Sequence, residues 1–170
     1  MKEKLRIYGL GQGVQLDVKY VYVWGARQYQ FSVLDPYTKR YYARVFPTRE
    51  SKNAITAFRA AQQSFGFPIQ SVQTDNGSEF RGVFHWWLTR KNITHYFISK
   101  HSPYWNAEVE RVHKTVDDEY YLNPNRSWHT LADWLAYYYN EERLHLSFKW
   151  SDAPRKNPQK CHPLMFTVHT

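Results

Sequence analysis

The stretch Ile69-Gln70-Ser71-Val72-Gln73-Thr74-Asp75-Asn76-Gly77-Ser78-Glu79-Phe80 decides how this chain is read. Ile69–Val72 is a short β-favouring run in which two apolar residues flank polar ones. Asn76-Gly77 is a strong turn signal, because both residues tolerate positive φ. Asp75 therefore falls where a strand ends and the chain breaks sharply. A carboxylate there is held by rigid backbone yet exposed at a sheet edge, which suits a metal ligand or an acid–base group. On local sequence alone, an Asp that merely opens an Asx turn fits as well.

Working outward, Val14–Val21 alternates as a half-buried strand does, with Val14, Leu16, Val18 and Tyr20 on one side and Gln15, Asp17 and Lys19 on the other. Asp17 is thus a carboxylate in mid-strand, where Asp is disfavoured unless that face is solvated. Tyr29–Leu34 and Arg40–Phe46 read as two further strands, with Asp35-Pro36-Tyr37-Thr38 as the turn between them. Ser51 offers an N-cap to a helix whose Ala54, Ile55, Phe58, Ala61 and Phe65 share a face, and Gly66 and Pro68 stop it. Residues 83–90 suit a short buried helix, with a strand as the alternative, and Ile93–Ile98 reads as a fifth strand. A polar loop spans Ser99–Trp105. A helix begins near Asn106 with Val109, Val112, Val116 and Tyr120 on one face, and Asn123-Pro124-Asn125 ends it. Ser127 caps a last helix that turns Leu131, Trp134, Leu135 and Tyr138 inward. Three antiparallel strands followed by alternating helix and strand predict an α/β fold of the ribonuclease H-like kind, a mixed five-stranded sheet flanked by helices. Residues 1–13 read as an N-terminal arm, 14–148 as the core and 149–170 as a basic, proline-containing tail.

The 170 residues suit one domain, and 14 Tyr, 10 Phe and 7 Trp supply ample core material. No apolar run is long enough for a membrane span, and the N-terminus leads into no apolar signal segment. The single cysteine, Cys161, rules out an internal disulfide. The expectation is an intracellular protein, cytoplasmic in a bacterium. With 23 Lys plus Arg against 15 Asp plus Glu, the formal charge of +8 favours a polyanionic partner, and nucleic acid is the commonest.

Strands one and four of such a sheet can lie side by side, which would bring Asp17 and Asp75 together. The helix from Asn106 carries Glu108 and Glu110, with Asp117, Asp118 and Glu119 beyond. Carboxylates from three elements meeting at a sheet edge bind hard divalent cations through oxygen. Two such ions about 4 Å apart activate a nucleophile and stabilise the leaving oxygen of a phosphodiester. Glu108 and Glu110 point about 200° apart on a helix, so only one faces the site.

The segment Gln73–Phe80, followed by Asn106-Ala107-Glu108-Val109-Glu110-Arg111, resembles the catalytic core of DDE integrases and transposases, closest in style to bacterial insertion-sequence transposases. Glu110 lies 35 positions after Asp75, Asp17 fits the first acidic position, and Tyr139-Asn140-Glu141-Glu142-Arg143-Leu144-His145 is similar to a segment of the bacterial members. The resemblance implies Asp17, Asp75 and Glu110 as catalytic residues holding two Mg²⁺ or Mn²⁺ ions. It selects Glu110 because an Arg follows, and leaves Glu108 as a first-turn acid favoured by the helix dipole. It implies DNA partners, both element ends and target, a homodimer or higher assembly, and strand transfer by hydrolysis and joining. A catalytically inert DNA- or protein-binding core and a ribonuclease H-like nuclease are the rival readings. Lys114 leads the candidate DNA contacts, with Arg111, His113, Asn76 and the loop aromatics Tyr104 and Trp105 behind it. Asp117, Asp118 and Glu119 read as a solvated helix face. His85, His95 and His101 share no metal-ligand spacing, Cys161-His162 lacks a second pair, and Gly9-Leu10-Gly11-Gln12-Gly13 lacks the strand-to-helix context of a phosphate loop.

Overall fold

The computed structural model describes residues 7, 9–98, 107–125, 128 and 130–143. Three strands open it: β1 (Val14–Val23), β2 (Ala26–Leu34) and β3 (Tyr41–Phe46). β1 outruns the predicted Val21 because its antiparallel pairing with β2 continues until Val23 faces Ala26. α1 (Ser51–Phe65), β4 (Ser71–Thr74), α2 (Val83–Arg90) and β5 (Thr94–Phe97) follow. α3 (Ala107–Val116) runs on in wider π-type turns over Asp117–Tyr121, and α4 (Leu131–Asp133) does the same over Trp134–Glu142. The sheet order is β3-β2-β1-β4-β5, with β4 parallel to both β1 and β5 and the other pairs antiparallel. This is the mixed sheet that the element order predicts.

Two cap expectations need correction. Ser51 is the first helical residue, and Glu50 occupies the cap position of α1 without a side-chain bond to the backbone. The turn is held from within instead, by Asn53 Nδ2 donating to the Thr48 carbonyl at 2.8 Å. The last helix starts at Leu131, where Thr130 Oγ1 accepts the Asp133 N–H at 3.1 Å; Ser127 lies outside the described residues. Gly66 stops α1 as expected, with φ 76°. Residues 83–90 are helical and half-buried, Phe84 and Leu88 turning inward while Val83 and Trp86 stay exposed.

The sheet has a core on each face. Val14, Leu16, Phe31 and Val33 pack with Ala54, Phe58 and Phe84 under α1 and α2. Tyr41 and Ala43 pack with Val109, Val116, Trp134 and Tyr139 under α3 and α4. Residues 9–13 form an irregular approach pinned to β4, the Gln70 N–H donating to the Gly11 carbonyl at 2.8 Å and Ser71 Oγ to that of Gln12 at 2.5 Å. Gly11 is needed there: its φ is 66°, and a Cβ would stand 2.2 Å from the Pro68 carbonyl oxygen. The tail 149–170 lies outside the described residues. Among the described residues no helix is long and apolar enough to cross a membrane.

Candidate active site

The register of the central strands brings the two aspartates together. β1 and β4 pair in parallel with Val14 opposite Val72 and Gln15 opposite Gln73. Two residues on from that pairing come Asp17, in β1, and Asp75, the first residue beyond β4, whose charge reaches the Asp17 carboxyl. Both share the side of Gln15, and that side meets α3: the Val109 N–H donates to Gln15 Oε1 at 3.3 Å. Glu110, the next residue, is solvent-exposed at the start of α3.

Asp17 is half-buried and Asp75 exposed. Burial pushes the Asp17 carboxyl up to about 7, against a lowering hydrogen bond from the Val18 backbone; the negative charges of Asp75, Glu110 and Glu79 push the same way as burial. Burial is the main cause, and the three acids add to it; an all-oxygen, anionic donor set of this kind fits a hard divalent cation. Among the described residues no three His, Cys, Asp or Glu side chains close on one point at ligand distance. Asp17, Asp75 and Glu110 lie within reach of one another's charge without closing to ligand distance.

Around Asp17 lies a polar seam between β1 and α3. His113 is buried with Nδ1 3.7 Å from Asp17 Oδ2. Burial, with the charge of Lys19 behind it, pushes the imidazolium down to about 3. The ring is therefore neutral, and the contact with Asp17 is not an ion pair. Its Nε2 is buried without a hydrogen-bond partner among the described residues, a feature seldom kept without a reason. Lys19, two residues along β1, pairs with Asp117 and donates to the His113 carbonyl.

The turn after Asp75 is built to hold still. Asp75 Oδ1 accepts the Gly77 N–H at 2.8 Å, so the Asx turn is present and the carboxylate is oriented by it. Asn76, a candidate DNA contact, donates from Nδ2 to the Ile98 carbonyl at 2.5 Å, and its Oδ1 accepts from Arg81 Nη2 at 3.4 Å. Glu79 is buried and paired with Arg49 Nε at 3.3 Å, and a Cβ on Gly77 would press to 2.7 Å from its carboxylate. Behind β4, Thr74 Oγ1 donates to the Asp75 carbonyl at 2.8 Å and so accepts from His95 Nε2 at 2.8 Å. That leaves His95 Nδ1 as an acceptor, 3.1 Å from His85 Nδ1. The two histidines lie ten positions apart on α2 and β5, and no sequence spacing pairs them.

The other sequence-derived candidates divide. Lys114 and Arg111 are exposed on α3, and Lys114 reaches Asp118 at 3.0 Å. His113 turns inward, away from the surface of a DNA contact. The sequence held the signal for this: His113 follows the buried Val109 by four residues and precedes the buried Val116 by three. Tyr104 and Trp105 lie outside the described residues. The solvated-face reading holds for the exposed Asp118 and needs correction at Asp117 and Glu119. Asp117 pairs with Lys19, and Glu119 takes a bidentate clamp from Arg143, with Nη2 at 2.8 Å and Nε at 3.0 Å. Glu108 pairs with Lys39 at 2.8 Å. In the Tyr139–His145 segment, Asn140 brackets the edge strand, accepting the Tyr41 N–H and donating to its carbonyl, each at 2.9 Å. Asn140 and Arg143 thereby buckle this segment to β3 and to the turns that extend α3.

A family model described as integrase core domain matches residues 9–103. The ORF3 product of Spiroplasma virus SpV1-C74, named an integrase, is 30% identical over 163 residues, covering 81% of this chain and 45% of the relative. The chain thus spans less than half the length of that relative. Among solved structures, the simian T-cell lymphotropic virus intasome in complex with PP2A regulatory subunit B56 gamma aligns with TM-score 0.70 at 22% identity, over 87% of this chain and 56% of the other. The HTLV-2 integrase catalytic core domain in complex with magnesium, in a trimeric form, aligns with TM-score 0.55 at 25% identity over 68% and 76%. The catalytic core domain of BIV integrase aligns with TM-score 0.60 at 15% identity over 80% and 88%.

Proposed function

The chain belongs to the integrase core domain family, and from that premise we propose that it carries the strand-transfer centre of a DNA integrase, with Asp17, Asp75 and Glu110 as its acidic residues. The observation that carries the reading is the parallel register that sets Asp17 beside Asp75 on the face met by α3, within the field of Glu110. The three carboxylates would hold Mg²⁺ or Mn²⁺, as the solved HTLV-2 core domain is described with magnesium. When bound, such ions activate the attacking oxygen and stabilise the leaving one.

The chain's own residues orient this set. The Gly77 N–H fixes the Asp75 carboxylate, and the Thr74 hydroxyl holds the backbone behind it. The His113 ring and the Lys19–Asp117 pair hold the β1–α3 seam in which Asp17 sits. At the element's end, water attacks a phosphodiester and the bond from phosphorus to the element's own 3′-oxygen breaks, freeing a 3′-hydroxyl on the element and leaving the phosphate on the 5′ end of the flanking strand. That hydroxyl attacks a target phosphodiester in line, and the target's own 3′-oxygen leaves. Lys114 and Arg111 supply exposed positive charge beside Glu110 for phosphates. The active form is a homodimer or larger assembly on paired ends, as the HTLV-2 core is described in dimeric and trimeric forms.

The test is Mn²⁺-dependent reversal of strand transfer on a pre-branched DNA, run beside Asp75→Asn. Joint reversal by the wild type and none by the variant is expected. Equal product from both would remove Asp75 from the chemistry, and the proposal with it.

A further inference from the structure

The β1–β2 hairpin bears apolar surface that the described residues leave uncovered. Val14 and Leu16 are buried and Val18 packs beside them under α1. The same alternation continues through Tyr20 and Tyr22, past the cover of the helices. There Tyr20 is 66% exposed, Tyr22 69% and Trp24, in the turn, 98%. Tyr20 faces Tyr29 and Tyr22 faces Arg27 across the strands, so these four side chains stand on one side of the sheet. Tyr29 in turn faces Phe46 on β3. The Arg27 guanidinium lies 5.7 Å from the Tyr29 ring centre, and that of Arg44 lies 5.3 Å from the Phe46 ring. No Asp or Glu occurs between Asp17 and Asp35.

The turn itself points to use. Trp24 and Gly25 have φ of 53° and 76°, the left-handed pair that a two-residue hairpin requires. Asn or Gly suits the first of these positions; a bulky aromatic there is strained, and at 98% exposure Trp24 gains little packing to offset it.

We propose that this face of the hairpin is a stacking platform for unpaired bases of single-stranded DNA, with Arg27 and Arg44 at the neighbouring phosphates. Exposed rings interleaved with arginines, without an acid among them and on a chain of net charge +8, match a polyanion with π-faces. The choice of DNA as the strand rests on the integrase reading. The hairpin leaves the carboxylate edge at Asp17, and Trp24 lies about 23 Å further along an extended strand. The platform faces the α1 side, opposite the carboxylates, so it takes a strand leaving the site and not the scissile linkage.

The test is fluorescence anisotropy of a labelled, mixed-sequence single-stranded oligonucleotide with the full chain and with Trp24→Asn, Tyr22→Thr and Arg27→Gln. Trp24→Asn makes the turn Asn-Gly, so it is expected to raise the melting temperature while weakening binding by about 5- to 150-fold, the range for one stacked base. Tyr22→Thr should weaken binding in the same range, and Arg27→Gln should flatten its salt dependence. Unchanged single-strand affinity in both Trp24→Asn and Tyr22→Thr would overturn the platform. So would unchanged affinity with a dimer converted to monomer in sedimentation, which would make the face a contact between copies. Intact single-strand binding without strand transfer would count against the integrase reading alone.

Discussion

The two faces of this sheet are packed by different rules. Under α1 and α2 the buried residues are almost wholly apolar, with Phe58 set edge-on to both Phe84 and Trp87. Under α3 and α4 the core is threaded with polar groups that satisfy one another. Gln30 Nε2 donates to Tyr41 Oη at 3.1 Å, Tyr41 Oη to Ser32 Oγ at 2.7 Å, and Tyr121 Oη to Gln30 Oε1 at 2.7 Å. Along β1 this second face presents Gln15, Asp17 and Lys19 to α3, where aliphatic residues would pack with less penalty. The contrast teaches that one face supplies stability in bulk. The other gives up part of it to hold charge at a fixed place.

Substitutions should separate the two faces. Phe58→Ala removes a fully buried ring from the apolar face and should destabilise the fold by about 3–5 kcal/mol in urea unfolding; a loss below 1 kcal/mol would break the contrast. Asp17→Asn should do the opposite. Folding raises the Asp17 carboxyl from 3.8 to about 7, so the folded state holds its proton where the unfolded state has lost it, and this group costs stability as pH rises through that window. The neutral burial of His113 opposes the trend at lower pH, so the readout is a difference. The stability of Asp17→Asn over wild type, without divalent cation, should grow between about pH 4 and pH 7 to a few kcal/mol. A difference independent of pH would remove the uncompensated charge from the account.

Asn140→Ala strips two hydrogen bonds from the Tyr41 backbone at the edge of β3 and should lose about 1–3 kcal/mol with catalysis intact where the protein stays folded. His113→Leu removes a buried nitrogen without a partner among the described residues and keeps the volume. Melting should be unchanged or raised by about 1 kcal/mol, while strand transfer falls. Lys114→Ala has the smallest effect on the fold, since the Lys114–Asp118 pair is exposed and one helical turn long, worth about 0.3–0.5 kcal/mol. It should lower DNA affinity and reduce the salt slope by about one.

The apolar face was legible because period and burial coincide: Ala54, Phe58, Ala61 and Phe65 recur at helical spacing, and Gly66 ends them. The place of Asp75 was legible because a β run met Asn-Gly, and the pairing of strands one and four followed from element order. The polar face was harder to read, because its partners are far apart in the chain. Nothing local joins Lys19 to Asp117, Arg143 to Glu119 or His85 to His95, so acids that read as a solvated face turned out to be fasteners. The spacing of His113 was readable, but its neighbours Glu110 and Lys114 drew the eye to the outer surface. Trp24 contradicts its own turn chemistry, and only the structure reveals that it stands in the open.

The central claim is that Asp17, Asp75 and Glu110 form one divalent-cation centre, and calorimetric Mn²⁺ titration near neutral pH tests it most directly. The wild type and Glu108→Gln should bind alike, while Asp17→Asn, Asp75→Asn and Glu110→Gln should each weaken binding by tenfold or more. Wild-type affinity in Glu110→Gln, or loss of binding in Glu108→Gln, would contradict the account.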